Sequence, residues 1–162
     1  MNIHLDTLLN LPNVTVEICR YVDDSVYLEL CCLNPGIPCP YCHKYTEKIH
    51  QNRPILIRDL PISGKATYLK IPRRQFYCQH CGHYSTENLE FVASHRRHTK
   101  RYEQTIYQRV ATSNITQVAR EENLKYDEVK GIFDHESKKI EKKNWSGVKR
   151  LSIDEIAMGF GA

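Results

Sequence analysis

Cys39-Pro40-Tyr41-Cys42 and Cys78-Gln79-His80-Cys81-Gly82 decide how this chain is read. Each is a C-x-x-C, and a tight turn at that spacing aims both sulfurs at one point. Two such turns supply the four donors that a divalent ion of tetrahedral preference needs. The competing readings are disulfides and a redox pair. Disulfides belong to oxidising compartments, and Met1-Asn2-Ile3-His4-Leu5-Asp6 has no charged segment followed by an apolar one that would direct export. A redox pair occurs once, in a βαβ setting, whereas here there are two pairs and no such setting. Structural zinc on Cys39, Cys42, Cys78 and Cys81 is therefore expected. His43, His80 and His83 are near enough in sequence to compete as ligands.

Outward from the pairs, charge is uneven. Residues 1–38 carry one basic side chain, Arg20, against five acids, while residues 39–112 carry 13 basic against 5 acidic, and residues 113–162 balance at 9 each. The positive excess thus falls on the cysteine module and the segment after it, the footprint of a nucleic-acid-binding surface. A solvated basic face would have the same composition. Seven cysteines, an odd number, fit no closed disulfide framework. Cys19, Cys31 and Cys32 fall in a strand-like region and are expected as buried reduced thiols. No apolar run is long enough to span a bilayer. A cytoplasmic, nucleoid-associated protein with no membrane contact is expected.

Residues 1–12 read as a loosely held arm. Val14, Val16 and Ile18, then Val26, Leu28, Leu30 and Cys32, alternate with polar residues across Asp23-Asp24-Ser25, which predicts a hairpin with one buried face. Between the cysteine pairs, Tyr45–His50, Pro54–Pro61, Ala66–Ile71 and Arg73–Tyr77 read as strands. In this reading Arg58, Lys65, Lys70, Arg73 and Arg74 face out, and Leu60, Leu69, Ile71 and Phe76 face in. An Arg, Lys and Tyr face suits phosphate contact. His95-Arg96-Arg97-His98-Thr99-Lys100-Arg101 is the most basic short run and reads as a hinge, a phosphate contact or both.

From about Lys100 the period becomes helical. Tyr102, Ile106 and Val110 share a face, and Asn114 with Gln117 forms a capping-box pattern for a second helix bearing Ile115, Val118 and Ala119. Asn123 permits a left-handed turn, and a third helix from about Tyr126 turns Val129, Ile132, Phe133 and Ile140 inward. Three such helices fit a helix-turn-helix. Lys125, Tyr126, Glu128 and Lys130 would then enter the major groove. The DNA contacts expected are these four with Arg73, Arg74, Arg96, Arg97, Lys100 and Arg101. Past Asn144, Leu151–Ala157 reads as a strand carrying an acid, the start of a further domain.

The paired-cysteine ribbon with its insert Ile57-Arg58-Asp59-Leu60-Pro61-Ile62, the helices containing Val118-Ala119-Arg120, and Ile153-Asp154-Glu155 together resemble the N-terminal half of insertion-sequence transposases of the ISL-three family. The resemblance implies an α+β chain in four parts. These are an arm and β-hairpin (1–38), a zinc ribbon (39–94), a helix-turn-helix unit (95–144), and a connector with the first strand of a ribonuclease-H-like catalytic domain (145–162). It implies binding of double-stranded DNA at the element's terminal inverted repeats. Asp154 would be the first of the metal-binding acids, with Mg²⁺ serving only a full-length relative that holds the other two, because the chemistry needs acids clustered on two cations. The chain is therefore expected to be a truncated transposase that is catalytically incomplete alone. A non-enzymatic DNA-binding regulator, or a dominant-negative partner of full-length transposase, is the alternative, and the partners expected besides DNA are a second copy in a homo-oligomer or the full-length transposase. An active nuclease would need the missing acids.

Overall fold

A computed structural model describes residues 3–140. The expected strand at Leu151–Ala157, with Asp154, lies outside the described residues, as does the connector. Two antiparallel hairpins form the main sheet: β1 (Val14–Val22) with β2 (Ser25–Cys32), and β6 (Ile55–Ile62) with β7 (Lys65–Ile71). They join through parallel pairing of β2 with β7, giving the order β1-β2-β7-β6. Both hairpin turns place two successive residues at positive φ, Asp23 and Asp24 in one and Ser63 and Gly64 in the other. That conformation matches the right-handed twist of the flanking strands. The boundary drawn at residue 38 therefore runs between strands that share one sheet. One face of this sheet buries Val14, Val16, Leu28, Leu30, Ile57, Leu69 and Ile71, with Phe91 and Val92 closing over it.

Residues 3–12 are not a loose arm. Residues Ile3–Leu9 form α1. The Asp6 carboxylate accepts from the Thr15 hydroxyl (2.6 Å) and the Val16 N–H (2.7 Å), and Leu9 joins the core. In β1 the alternation breaks where the register shifts between Val16 and Ile18. This bulge leaves Glu17 to Val22 exposed, so Ile18 is not core and Cys19 is not buried.

Two small sheets carry the cysteines. One pairs β3 (Ile37–Pro38) with β4 (Tyr45–Thr46). The other orders β5 (Ile49–Asn52), β8 (Arg74–Tyr77) and β9 (Tyr84–Thr86) as β5-β8-β9. The single strand expected over Tyr45–His50 is thus two strands in two sheets. The Thr46 hydroxyl donates to the Tyr77 carbonyl (2.9 Å) and ties them together. Gly36 lies so close to the Thr46 carbonyl that a Cβ there would approach it to 2.2 Å.

Helices α2 (Lys100–Thr112), α3 (Ile115–Glu122) and α4 (Tyr126–Ile140) enclose a second core of Tyr102, Ile106, Val110, Val118, Ala119, Val129 and Ile132. Thr99 caps α2, its hydroxyl oxygen accepting from the Tyr102 N–H. Asn114 caps α3 by accepting from Gln117 N–H at 2.8 Å. The Gln117 side chain completes no capping box, because it donates to Glu121 instead. Asn123 ends α3 at φ 53° and its successor Leu124 packs on the core, so α4 starts after a three-residue turn. Ile140, expected inward, is exposed at the last described position.

Candidate metal centre and nucleic-acid interface

The two cysteine turns are built alike. In each, the N–H of the first cysteine donates to a carbonyl five residues on: Cys39 to Lys44 and Cys78 to His83, both 2.9 Å. Its carbonyl accepts from the residue after the second cysteine, His43 (2.9 Å) or Gly82 (2.8 Å). That residue sits at positive φ in both, 61° for His43 and 73° for Gly82. Glycine adopts this without cost, while histidine is held there by the turn.

The turns bring all four sulfurs within 4.8 Å of one another. Across the turns, Cys39 Sγ lies 3.6 Å from Cys81 Sγ and Cys42 Sγ lies 3.6 Å from Cys78 Sγ. A thiolate tetrahedron about 2.3 Å from zinc has edges of about 3.8 Å, whereas a disulfide needs about 2.0 Å. The donor set thus fits zinc, and the cysteines are free thiols. Turn N–H groups prepare the thiolates. Those of Cys81 and His80 hold Cys78 down to about 7, and those of Cys42 and Tyr41 lower Cys39. At Cys81 the His83 N–H also favours the thiolate, but burial and the adjoining thiols outweigh it and push the group up to about 12. A cation at the centre removes that mutual repulsion. The histidines stay out of the set: His83 stacks on Tyr41 with ring centroids 4.3 Å apart, and His43 and His80 are exposed.

The basic residues divide sharply. Arg74 was expected to face out, but it is buried, and its guanidinium donates to Glu87 at 2.8 and 2.6 Å. Arg58 likewise turns in, donating to the Tyr68 hydroxyl (3.1 Å) and to the Glu122 carbonyl (3.2 Å) and carboxylate (3.3 Å). The run His95–Arg101 is no hinge. It lies along β6, with Arg58 N–H donating to the Arg97 carbonyl and Thr99 N–H to the Arg58 carbonyl, both 2.9 Å. Its side chains take different directions, and His98 and Thr99 are buried. Arg96 turns in to buried Glu103 (2.7 Å), and Arg101 pairs with Asp59 and donates to the Leu9 carbonyl (2.7 Å). Arg97 and Lys100 remain exposed. Arg74, Arg96 and Arg101 thus serve the fold, because each neutralises a buried or half-buried carboxylate.

Sequence reasoning missed the role of Arg58-Asp59-Leu60. Asp59 is 1% exposed and also accepts from Thr99 Oγ1 (2.6 Å), while Leu60 packs on the helical core. The segment fastens the main sheet to α2 and α3. An acid between Ile57 and Leu60 at a core-facing strand position was the available signal.

On α4, Lys125 and Tyr126 are exposed at the start. Glu128 is held by His98 Nε2 (2.9 Å) and Lys130 by Asp134 (2.6 Å, four residues on). Arg120, on α3, is exposed beside them in sequence. A second cluster, Glu103, His135 and Glu136, could be read as a metal site. Arg96 and Lys139 already neutralise its two carboxylates, so it is an ion network in the helical core. Among the described residues no helix is long and apolar enough to cross a membrane.

Two family models match the chain in order. Residues 35–81 match the zinc-finger of transposases IS204/IS1001/IS1096/IS1165, and residues 87–137 the helix-turn-helix domain of transposase family ISL3. The transposase for insertion sequence element IS1001 of Bordetella parapertussis is 30% identical over 124 residues, which cover 76% of this chain and 30% of that protein. The chain thus spans less than a third of that relative's length. No solved structure matches. With the four sulfurs converging inside the first matched segment and α2, α3 and α4 filling the second, the chain belongs to the ISL3 family of insertion-sequence transposases.

Proposed function

We propose that residues 3–140 form the head by which a transposase holds the terminal inverted repeats of its element. Zinc on Cys39, Cys42, Cys78 and Cys81 keeps the ribbon folded. The helices supply the base-reading surface, with the start of α4 in the major groove. The observation that carries this reading is the segregation of cations. Arg58, Arg74, Arg96 and Arg101 are consumed inside the fold, while Arg97, Lys100, Arg120 and Lys125 are left exposed around the helices, with Tyr126 beside Lys125. Spare cations attract phosphate, and Lys125 can reach guanine acceptors in the groove. Glu128, clasped by His98, positions α4 rather than reading a cytosine.

The same reading makes the 162 residues by themselves a binder rather than a cutter. Strand transfer by two hard cations needs several clustered acids, and Asp154 is the only member of that set that the resemblance assigns within this sequence. The test is a binding titration of zinc-loaded protein with duplexes carrying the element's ends and with scrambled duplexes, in Mg²⁺. Preference for the ends without nicking is expected. Equal affinity for both, or nicking lost on Asp154→Asn, would sink the corresponding half.

A further inference from the structure

The face of the ribbon that runs toward the helices carries grooves that extend beyond the helical surface. Strand alternation puts Gln51 and Arg53 of β5 and its extension on the same side as Arg73 and Gln75 of β8 and its approach. The Gln51–Gln75 pairing and the Arg53 N–H to Arg73 carbonyl bond (3.1 Å) fix their register. These four side chains line one groove of about 350 Å³. Arg73 and its neighbours Ile55 and Thr86 also line a second groove, equally large, that ends at His95. His95 in turn lines a third with Arg97, Asp127 and Glu128. Shared lining residues, Arg73 between the first two and His95 between the last two, string the three grooves into a track from β5 and β8 to the start of α4.

The electrostatics of the track are one-sided over most of its length. Among the described residues, Arg53, Arg73 and Arg97 meet no carboxylate, and the amide of Gln51, turned oxygen first, is the partner of Arg53. Glu87 borders the track, but Arg74 occupies both its oxygens from the other side of β8. At the corner, His95 sits at φ 60° in a turn closed by Arg96 N–H to the Ala93 carbonyl. Apart from the neutralised Glu87, acids line the track only at the end beside α4, where Asp127 and Glu128 repel phosphate while tolerating base amino groups.

We propose that this track is a second nucleic-acid contact, distinct from α4: a phosphodiester backbone of duplex DNA lies across Arg53 and Arg73 and passes His95 to Arg97. The inference rests on the reading of the helices as a DNA-binding head and extends it to the ribbon. Guanidinium groups flanked by amides suit phosphate oxygens, and such contacts position the protein without reading sequence.

The test is the salt dependence of binding to a random-sequence duplex by the whole chain and by Arg53→Gln/Arg73→Gln. Each phosphate contact adds about 0.9 to the slope of log K against log salt. The double variant should lose about 2 from that slope and bind about tenfold to a hundredfold more weakly at 0.1 M salt. Arg53→Lys/Arg73→Lys should retain most of the slope, which a merely structural role would not produce. Protection of arginines from phenylglyoxal, mapped by mass spectrometry on the unaltered chain, reads the same contact without a variant. Duplex should shield Arg53 and Arg73 but leave Arg20, on the hairpin, reactive. Binding by the unaltered chain with an undiminished slope in the Gln variant, or with Arg53 and Arg73 unshielded, overturns this inference alone. No binding by the unaltered chain overturns the head reading with it.

Discussion

The strands that carry the cysteines are two to four residues long, whereas α2, α3 and α4 close around seven buried side chains. The main sheet has a comparable apolar core of its own. Around the cysteines the buried apolar residues are few, Phe76 foremost, and Tyr41, Tyr45, Ile49 and Tyr84 stand exposed. Strands so short cannot hold themselves in water. One region is held by burial, the other by metal coordination, and the Arg58-Asp59-Leu60 segment couples the first region's sheet to its helices rather than to the knuckles. The difference teaches that loss of metal should be a local event.

The largest effect is accordingly expected from chelation or Cys78→Ser. Structural zinc contributes on the order of 10–16 kcal/mol in finger peptides, more than the about 5–15 kcal/mol that stabilises a typical domain. Amide exchange should open residues 37–52 and 74–86 while α2, α3, α4 and the main sheet stay protected. Loss of protection throughout would dissolve the distinction.

Next is Asp59→Ala, which strips the partner from Arg101 and from the capping hydroxyl of Thr99. Removing one member of a buried pair costs about 3–5 kcal/mol. Because Arg101 is about a third exposed, a cost of about 2–3 kcal/mol is expected after allowance for solvent screening. Urea unfolding followed at the helices should register it, and the zinc content should not change. A variant that loses zinc would mean the two regions are coupled after all.

Acid should strike the core-held region through Glu103. Its burial alone would raise the carboxyl, but His98 3.4 Å away, the hydrogen bond from Arg96 and the 2.9 Å contact with His135 Nδ1 hold it below its ordinary 4.5. A carboxylate lowered on folding stabilises above its unfolded value, and that contribution is lost as pH falls through the lower folded value. The helical unit should therefore lose stability below about pH 4.5, and Glu103→Gln should flatten the profile there. An unchanged profile would remove Glu103 from the account. The smallest effect is that of Asn114→Ala, about 1 kcal/mol for a lost cap, visible only in the thermal midpoint of the helices.

Much of this was legible in the chain because it is local. Two C-x-x-C turns announce their geometry by spacing, and Tyr102, Ile106 and Val110, the Asn114 cap and left-handed Asn123 follow from helix period and cap chemistry. The main sheet was half legible: its hairpins were, but the parallel pairing of β2 with β7 joins segments some forty residues apart and leaves no local mark. The fate of the arginines was illegible for the same reason. Arg74 reads like Arg73 until Glu87 is seen opposite it at the end of β9, and Arg58 finds Glu122 at a separation of 64 residues. The bulge at Glu17, which turned Ile18 and Cys19 outward, had no composition signal.

The most direct test of the metal-held ribbon is native mass spectrometry of the chain purified without chelator. A single zinc ion per chain is expected, lost in Cys78→Ser and retained in Asp59→Ala. Protein that carries no zinc, yet keeps residues 37–52 and 74–86 protected from exchange, would contradict the account.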